Sequence, residues 1–252
     1  MPASERVAPV ASRLDDPVRA VRIEAARVLS SVPLAALDGA QQAKLAEALD
    51  EFVAVQDVAL DTPGAHLNLA VVAENRGDPA RAEREYRAAL ALDPDFTPAR
   101  LNLARTLSAA GRYEDAERVL RDGIARVPAQ GELLYSLGLL LAEEHHLPEA
   151  ADALGRAADL VPTHARARYN HALALQQLGR RGEAEAEFLK ARQVDPTDPA
   201  IAYALAVLYA QDGDWPRALA VADDLAPLAP DDARVQAVVA DVRCRAAQAR
   251  AR

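Results

Sequence analysis

The side chains best suited to chemistry in this sequence are five histidines, one cysteine and several paired acids. His145 and His146 are adjacent, and two imidazoles in a turn can contribute to a metal site. No third ligand stands near them in the sequence, so a solvated turn is the competing interpretation. We expect His171 to be a semi-buried, hydrogen-bonded histidine and not a general base. The sequence therefore predicts no metal site, no catalytic residue and no cofactor.

The remaining reactive groups lack the neighbours that catalysis requires. Cys244 has no evident activating partner, and a single cysteine excludes an internal disulfide framework or a Cys-only metal site. There is no glycine-rich phosphate loop and no spacing that supports a Ser-His-Asp arrangement. We predict that the protein is not an enzyme. The paired acids are expected to serve as helix caps and solvated surface: Asp15-Asp16, Glu143-Glu144 and Asp231-Asp232.

Composition narrows the class of protein further. The chain has 252 residues, of which 51% are apolar but only 4% aromatic, which favours close contact between helices. The net charge of −9 argues against nucleic acid as a partner. No apolar run reaches the ~18 residues that span a membrane, and the first residues lack the order of a signal peptide. We expect a soluble protein, cytoplasmic as the chain stands, or periplasmic if it is part of an exported protein, and its alanine and arginine content is typical of GC-rich bacteria.

The elements that must position any site are set by a 34-residue internal period. Prolines recur at this interval five times, at Pro94, Pro128, Pro162, Pro196 and Pro230. Alanines do the same at Ala82, Ala116, Ala150, Ala184 and Ala218. A second series of small residues is formed by Ala70, Ala104, Gly138, Ala172 and Ala206. Five unbroken copies predict a solenoid of repeated helical units.

Each copy is predicted to be two antiparallel helices joined by a tight turn. In the first copy the helices would run near Ala65–Asn75 and Ala80–Leu92. The turn carries glycine in four copies and His145 in the third, and the proline after the second helix ends it. This pattern resembles the tetratricopeptide repeat (TPR), which implies an all-α, right-handed α-solenoid. The predicted repeats are 63–96, 97–130, 131–164, 165–198 and 199–232.

Two positions depart from the TPR pattern. The aromatic residue usual early in the first helix is absent, and His171 stands where the other copies carry leucine. These departures leave the local packing of the fourth copy as the point to check. The residues at the first position are His66, Arg100, Leu134, Arg168 and Ala202.

The two ends do not follow the full period. Within residues 1–36, a segment of roughly 5–32 resembles a HEAT repeat through residues between Asp16 and Leu29, with a lone amphipathic helix as the alternative. Residues 37–62 are predicted to form a long capping helix near Gln41–Leu60. Residues 233–252 are predicted to form a C-terminal cap helix with a valine stripe. This order of segments is similar to the C-terminal part of certain bacterial multihaem cytochrome proteins, although the haem-attachment motif is absent here.

The TPR resemblance implies that the first helices of successive repeats line a concave groove. Tyr135, Tyr169 and Tyr203 would then stand in one row, and an asparagine follows in three copies, as in the ladders that hold a peptide backbone in some TPR proteins. Helix packing is the competing role for both rows. Leu67 and Val71 stand where another TPR class holds a carboxylate clamp, which disfavours that class. Arg105, Glu132 and Arg166 are expected at the rim. The predicted partner-binding residues are Leu67, Asn68, Val71, Leu101, Asn102, Arg105, Tyr135, Leu139, Tyr169, Asn170, Leu173, Tyr203 and Val207.

Two functions remain open at this point. The first is a scaffold that binds an extended or helical segment of a partner protein in the groove. The second is a structural or assembly domain of a larger protein, with the groove filled by its own polypeptide or by self-association. An open groove lined by tyrosines would favour the first, because such residues often anchor protein interfaces.

Overall fold

The computed structural model describes residues 3–250, with side chains from Val7 onward. Within this range the regular elements are fourteen α-helices and two short 3₁₀ helices. The predicted all-α fold is therefore confirmed. Contacts divide the chain into two compact units, Met1–Val127 and Pro128–Arg252.

The first unit holds seven of these α-helices. They are α1 (Ala3–Ala11), α2 (Arg19–Leu29), α3 (Gly39–Asp57), α4 (Pro63–Asn75), α5 (Pro79–Leu92), α6 (Thr97–Ala109) and α7 (Tyr113–Arg126). From α4 onward they alternate between a first helix of each pair, here called an A helix, and a second, called a B helix. α4 packs on α5, and α6 packs on α7.

The second unit continues the same alternation. Its helices are α8 (Gly131–Glu143), α9 (Leu147–Leu160), α10 (Ala165–Gln177), α11 (Arg181–Val194), α12 (Pro199–Gln211), α13 (Trp215–Leu225) and α14 (Ala233–Arg250). α8, α10 and α12 are A helices, and each packs on the B helix that follows it.

Each A helix is joined to its B helix through a residue with left-handed backbone. Four of these residues, with φ between 71° and 79°, are Gly77, Gly111, Gly179 and Gly213. His145 takes the same position in the third pair with a φ of 62°, and it is the one non-glycine residue with positive φ in the described chain. Since this region is unfavourable for a residue with a Cβ, the turn of the third pair carries strain that the glycine turns avoid.

Small residues allow the helices of a pair to approach closely. Ala70, Ala82 and Tyr86 are fully buried where α4 meets α5. In the third pair Gly138 replaces the alanine, and the side chain of Leu154 occupies the space, so that an added Cβ would lie 2.5 Å from Leu154 Cγ. The larger side chain on the B helix therefore compensates for the methyl group missing from the A helix, and the close helix contact is kept.

The position that lacks its usual aromatic residue is used for polar contacts between the A and B helices. His66 Nδ1 lies 2.7 Å from Glu85 Oε2, between α4 and α5. Arg168 Nη1 donates to Glu187 Oε2 over 3.2 Å, between α10 and α11. Arg100 is almost fully buried on α6. A salt bridge or hydrogen bond thus joins the helices at positions where the TPR pattern usually has an aromatic residue.

The long helix near the N-terminus differs from its predicted span. It was expected near Gln41–Leu60 and runs over Gly39–Asp57. It begins earlier because the side chains of Asp38 and Gln41 form a reciprocal capping box with the backbone. The residues after it form turns, and Thr62 Oγ1 then accepts a hydrogen bond from the backbone N–H of Ala65 to cap α4.

The segment that resembles a HEAT repeat consists of two short helices with a small core. Pro17 precedes α2 by two residues, because Val18 is the N-cap, and so it does not occupy the first turn as the HEAT pattern implies. Ala25, Ala26 and Leu29 of α2 are buried in one cluster with Leu45 of α3. α2 therefore packs against α3 as part of the first unit.

The C-terminal helix α14 closes the second unit. Val235, Val239 and Val242 are buried against α12 and α13, while Val238 is partly exposed. One period earlier, Ala206 and Tyr209 are buried beneath a B helix, whereas their equivalents Ala240 and Arg243 are exposed. The cap helix predicted from the valine stripe thus presents a solvated outer face.

Candidate functional site

The predicted tyrosines lie half-buried on three A helices of the second unit. The Tyr135 ring packs edge-on against His164, with 4.9 Å between centroids. Its hydroxyl accepts a hydrogen bond from Asn170 Nδ2 over 2.9 Å. Tyr169 packs on the buried Phe188 with 5.8 Å between centroids. These neighbours therefore hold the Tyr135 and Tyr169 rings in place, while part of each tyrosine remains accessible.

A cleft of about 340 Å³ opens beside two of these tyrosines. Tyr169 and Tyr203 form one side of it, and the other walls come from the start of α12, the loop before α14 and the first turn of α14. Its complete lining is Tyr169, Pro199, Ala200, Tyr203, Ala229, Asp232, Arg234 and Val235. The cleft is large enough for one or two apolar side chains of a ligand.

The charges around this cleft are arranged in neutralised pairs. The Arg166 guanidinium lies over the Tyr169 ring, 5.2 Å from its centroid, and pairs with Asp198 over 3.0 Å. Arg234 pairs with Asp232 over 3.1 Å. Burial raises the pKa of Tyr169 above its ordinary value, so the hydroxyl is neutral at physiological pH. The cleft is consequently aromatic and apolar with polar edges, and carries no net charge of its own.

The asparagine row is held less uniformly than the tyrosine row. Asn170 binds Tyr135, as described, and Asn68 Nδ2 donates to Gln56 Oε1 over 3.0 Å in the first unit. Asn102 is partly exposed on α6. Of the two interruptions noted in the sequence, Ser136 is partly exposed and Ala204 is buried. Two of the three asparagines therefore already have side-chain partners.

In the first unit the predicted residues form an aliphatic surface. Leu67, Val71 and Leu101 are partly exposed on α4 and α6. Arg105 is exposed, and its Nη2 donates to Glu74 Oε2 over 2.6 Å. The same carboxylate accepts hydrogen bonds from Tyr86 and Thr106, a cluster that the sequence did not indicate.

The remaining predicted residues follow the A helices of the second unit. Leu139 is exposed, while Leu173 and Val207 are partly exposed. All thirteen predicted partner-binding residues thus keep some accessible surface, and they fall into one set in each unit.

Three sequence profiles of the tetratricopeptide repeat match the chain. One matches residues 73–138 and 183–242, which together make up half of the sequence, and the others match 34–95 and 165–198. The chain belongs to the tetratricopeptide repeat family. No curated protein sequence matches this TPR protein significantly. No helix in residues 3–250 combines the length and apolarity required to cross a membrane.

Solved structures support the same fold. MamA is 22% identical, with a TM-score of 0.60 over 69% of this chain and 95% of that one. YrrB is 22% identical, with a TM-score of 0.59 over 76% and 97% of the two chains. PilF of Pseudomonas aeruginosa is 24% identical, with a TM-score of 0.62 over 77% and 89%. At these identities the likeness concerns the fold of the TPR helices.

The histidines require one correction. His145 and His146 are exposed, and no group of three potential metal ligands occurs among the residues the structure describes.

His171 was expected to be hydrogen-bonded, but its Nδ1 is buried without a partner and lies 3.8 Å from Glu187 Oε2. The ring packs on Gly155, where an added Cβ would approach it to 3.1 Å. Burial lowers the pKa of His171, so the neutral ring is favoured.

The paired acids and the cysteine are placed at the surface with one exception. Asp232 accepts hydrogen bonds from the backbone N–H groups of Arg234 and Val235, which caps α14 as predicted. Glu144 was expected to be solvated, but its Oε2 is buried and has no partner within residues 7–250. Cys244 is exposed on α14.

Sequence reasoning missed the wall of the cleft that the start of α14 contributes. Residues 233–252 were interpreted as a cap alone, so Arg234 and Val235 were not considered as site residues. A usable pattern was present, because Arg234 stands two periods after Arg166 in the TPR register. The cap helix therefore shares the A-helix surface that the complete repeats use.

Proposed function

We propose that this TPR protein is an interaction scaffold that binds an extended or helical segment of a partner protein on its A helices. In this proposal the binding region consists of the five repeats of residues 63–232 and the α14 cap. The observation that carries the proposal is the cleft beside Tyr169 and Tyr203. Half-buried tyrosines fixed from below lose little conformational freedom on binding, which makes them effective interface anchors.

The chemistry of the cleft favours an apolar or aromatic side chain flanked by backbone amides. Its charged groups, such as Arg166 with Asp198, are already paired, so a strongly charged ligand gains little there. A ligand's peptide groups can hydrogen-bond to the tyrosine hydroxyls and to Asn170 at the edge. YrrB, one of the structures with this fold, is described as a TPR protein with an unusual peptide-binding site, which is consistent with a peptide ligand.

In the first unit we propose a weaker contact along Leu67, Val71 and Leu101. These aliphatic residues offer no aromatic anchor, and the neighbouring Arg105 is held by Glu74. The stronger contact of the proposal is therefore the tyrosine cleft of the second unit.

The test selects peptides from a displayed random library against the full chain and measures their affinity by calorimetry. We expect selected peptides to carry an aromatic or aliphatic residue, and the variant Tyr169→Ala/Tyr203→Ala to weaken their binding by about 2 kcal/mol or more. Tyr113→Ala is the matched control, because Tyr113 is a partly exposed tyrosine at the start of α7. Circular dichroism checks that both variants remain helical.

Selected peptides that bind the double variant and the parent equally would exclude the cleft as the site. If the variant elutes at a different oligomeric size from the parent, the tyrosines belong to a self-association interface, which is the structural role considered from the sequence.

A further inference from the structure

A second cleft, of about 440 Å³, lies in the first unit between the B helices α5 and α7. It is formed without the tyrosine row or any other predicted groove residue. Its apolar floor includes Leu90, Pro94 and Val119, and three arginines stand around it with a single acid. We propose that this cleft binds an acidic segment of a partner protein that alternates carboxylate and apolar side chains.

The floor of the cleft contains a guanidinium that the fold holds rigidly. The Arg100 side chain is 6% exposed, and its Nη1 donates to the carbonyl of Val119 over 2.9 Å and to Asp122 over 2.8 Å. Its Nη2 donates to the carbonyl of Pro94 over 2.6 Å. Asp122 balances the charge of Arg100, while the two carbonyls and this carboxylate fix the guanidinium in place at the cleft.

The two arginines at the edge are free to change partners. Arg87 and Arg118 have side chains that are 52% and 74% exposed, and they pair with Glu83 and Asp115 on their own helices. Exposed pairs of this kind contribute little to stability and are readily exchanged. Both arginines can therefore turn toward a carboxylate in the cleft.

Arg112 lowers the free-energy cost of moving the two edge arginines to a ligand. Its guanidinium donates to Glu83 over 2.8 Å and to Asp115 over 2.6 Å, and so it joins the two acids that hold Arg87 and Arg118. When the edge arginines move to a ligand, both acids keep a cationic partner. The network thus holds one more arginine than it needs.

Charge complementarity decides the class of ligand. The cleft lining has three arginines and one aspartate, whereas the whole chain has a net charge of −9. The apolar floor favours aliphatic side chains, and the guanidiniums favour carboxylates in paired hydrogen bonds. A peptide with alternating acidic and aliphatic residues supplies both.

The probe is a fluorescein-labelled pentapeptide, Asp-Leu-Asp-Leu-Asp, whose binding to the full chain is followed by fluorescence anisotropy. Its neutral counterpart, Asn-Leu-Asn-Leu-Asn, keeps the shape without the charge. We expect the acidic peptide to bind at least about tenfold more tightly, with an affinity that falls as salt is added. Equal binding of the two peptides, or no binding of either, would overturn the proposal.

Variants place the site. Arg87→Gln/Arg118→Gln is expected to weaken binding of the acidic peptide about tenfold, because two charge-assisted contacts are removed. Arg84→Gln is the matched control, since Arg84 is exposed on the same helix and is not among the lining residues. An equal loss in the control would show that attraction is diffuse and would reject the cleft.

Two further measurements distinguish this cleft from the A-helix surface and from a fatty-acid site. Tyr169→Ala/Tyr203→Ala is expected to bind the acidic peptide as the parent does, so the result is independent of the function proposed for the A helices. Dodecanoate is the competing ligand class, because it also joins a carboxylate to an apolar chain. Tighter binding of dodecanoate than of the peptide, lost in the Arg87/Arg118 variant, would assign the cleft to fatty acids and overturn the peptide assignment.

Discussion

The two units build the same helix pair with different degrees of regularity. The first unit keeps alanine at the close helix contact, leucine on the inner side of the A helix and glycine in each turn. The second unit replaces one of each, with Gly138, His171 and His145. The second unit also carries the tyrosine cleft, so the departures occur in the unit where the proposed partner contact lies.

These departures differ in how the surrounding residues accommodate them. Leu154 fills the space beside Gly138, and His171 fits because Gly155 leaves room for its ring. His145 has no such compensation, because a positive φ is a property of the backbone itself. A TPR helix pair thus tolerates a change in side-chain volume when a contacting residue changes with it. The backbone strain of a non-glycine turn residue is not relieved in this way. Three substitutions test this comparison.

The largest effect is expected at the helix contact. Gly138→Ala should lower the free energy of unfolding by about 1–3 kcal/mol, because the new methyl group would overlap Leu154. Urea denaturation followed by circular dichroism measures the change. In the first unit the matched variant Ala104→Gly should cost about 1 kcal/mol through lost helix propensity alone. A stabilised Gly138→Ala variant would mean that Leu154 moves aside freely. It would contradict the interpretation that Leu154 compensates for the missing methyl group.

A smaller effect is expected at His171. His171→Leu restores the residue of the other copies and removes a buried, unpartnered Nδ1, so it should stabilise the protein by about 1 kcal/mol at neutral pH. Leu103→His in the first unit is the matched reverse change and should destabilise, since no glycine is placed to receive the ring. Thermal melts of the two variants beside the parent provide the measurement.

The same variant should change the pH dependence of stability. Because the pKa of His171 is lowered by burial, the unfolded chain takes up the proton first as the pH falls. Stability is therefore full above the unfolded pKa of about 6.5 and is lost as the pH falls toward the folded pKa. Glu187 and Asp159 favour the proton and Arg180 opposes it, but burial dominates. Urea midpoints at about pH 7.5 and about pH 5.5 should differ less in His171→Leu than in the parent; an unchanged difference would assign the dependence to other groups.

The smallest effect is expected in the turn. His145→Gly should stabilise the protein by about 0.5–1 kcal/mol, because the relief of left-handed strain exceeds the added flexibility of the unfolded chain. Gly111→Ala in the first unit should destabilise by a similar amount. A loss of stability in His145→Gly would show that the His145 side chain makes a contact worth more than the strain.

Most of the fold was predictable because the repeat fixes local and tertiary structure together. The period located the A–B pairs and the turn residues between them, and the helical spacing of the valines located the buried face of α14. The end of α3 at Asp57 was not predictable from apolar spacing, since the turn that follows is stabilised by hydrogen bonds that Thr62 donates to the carbonyl of Ala59.

The site was predictable in part. The position of the tyrosines on A helices follows from their register, but the cleft depends on Pro199 and Arg234, which lie outside the row. The arginine cleft was not predicted from the sequence, because its residues come from three helices and the turn at Pro94, and its edge residues Arg87 and Arg118 stand at different positions of their B helices. A site that combines residues from several helices can be recognised only when the positions of those helices in the structure are known.

The exposed outer face of α14 bears on how arrays of this kind change in length. Its register continues that of the earlier A helices, and the buried valines would suit another complete pair. Arg243 and Gln236 stand where Tyr209 and Ala202 are buried one period earlier, so two polar side chains oppose the stacking of another B helix. Duplication of one 34-residue unit followed by very few substitutions would lengthen the array without altering its existing contacts, which makes the number of repeats an easily changed character in descent.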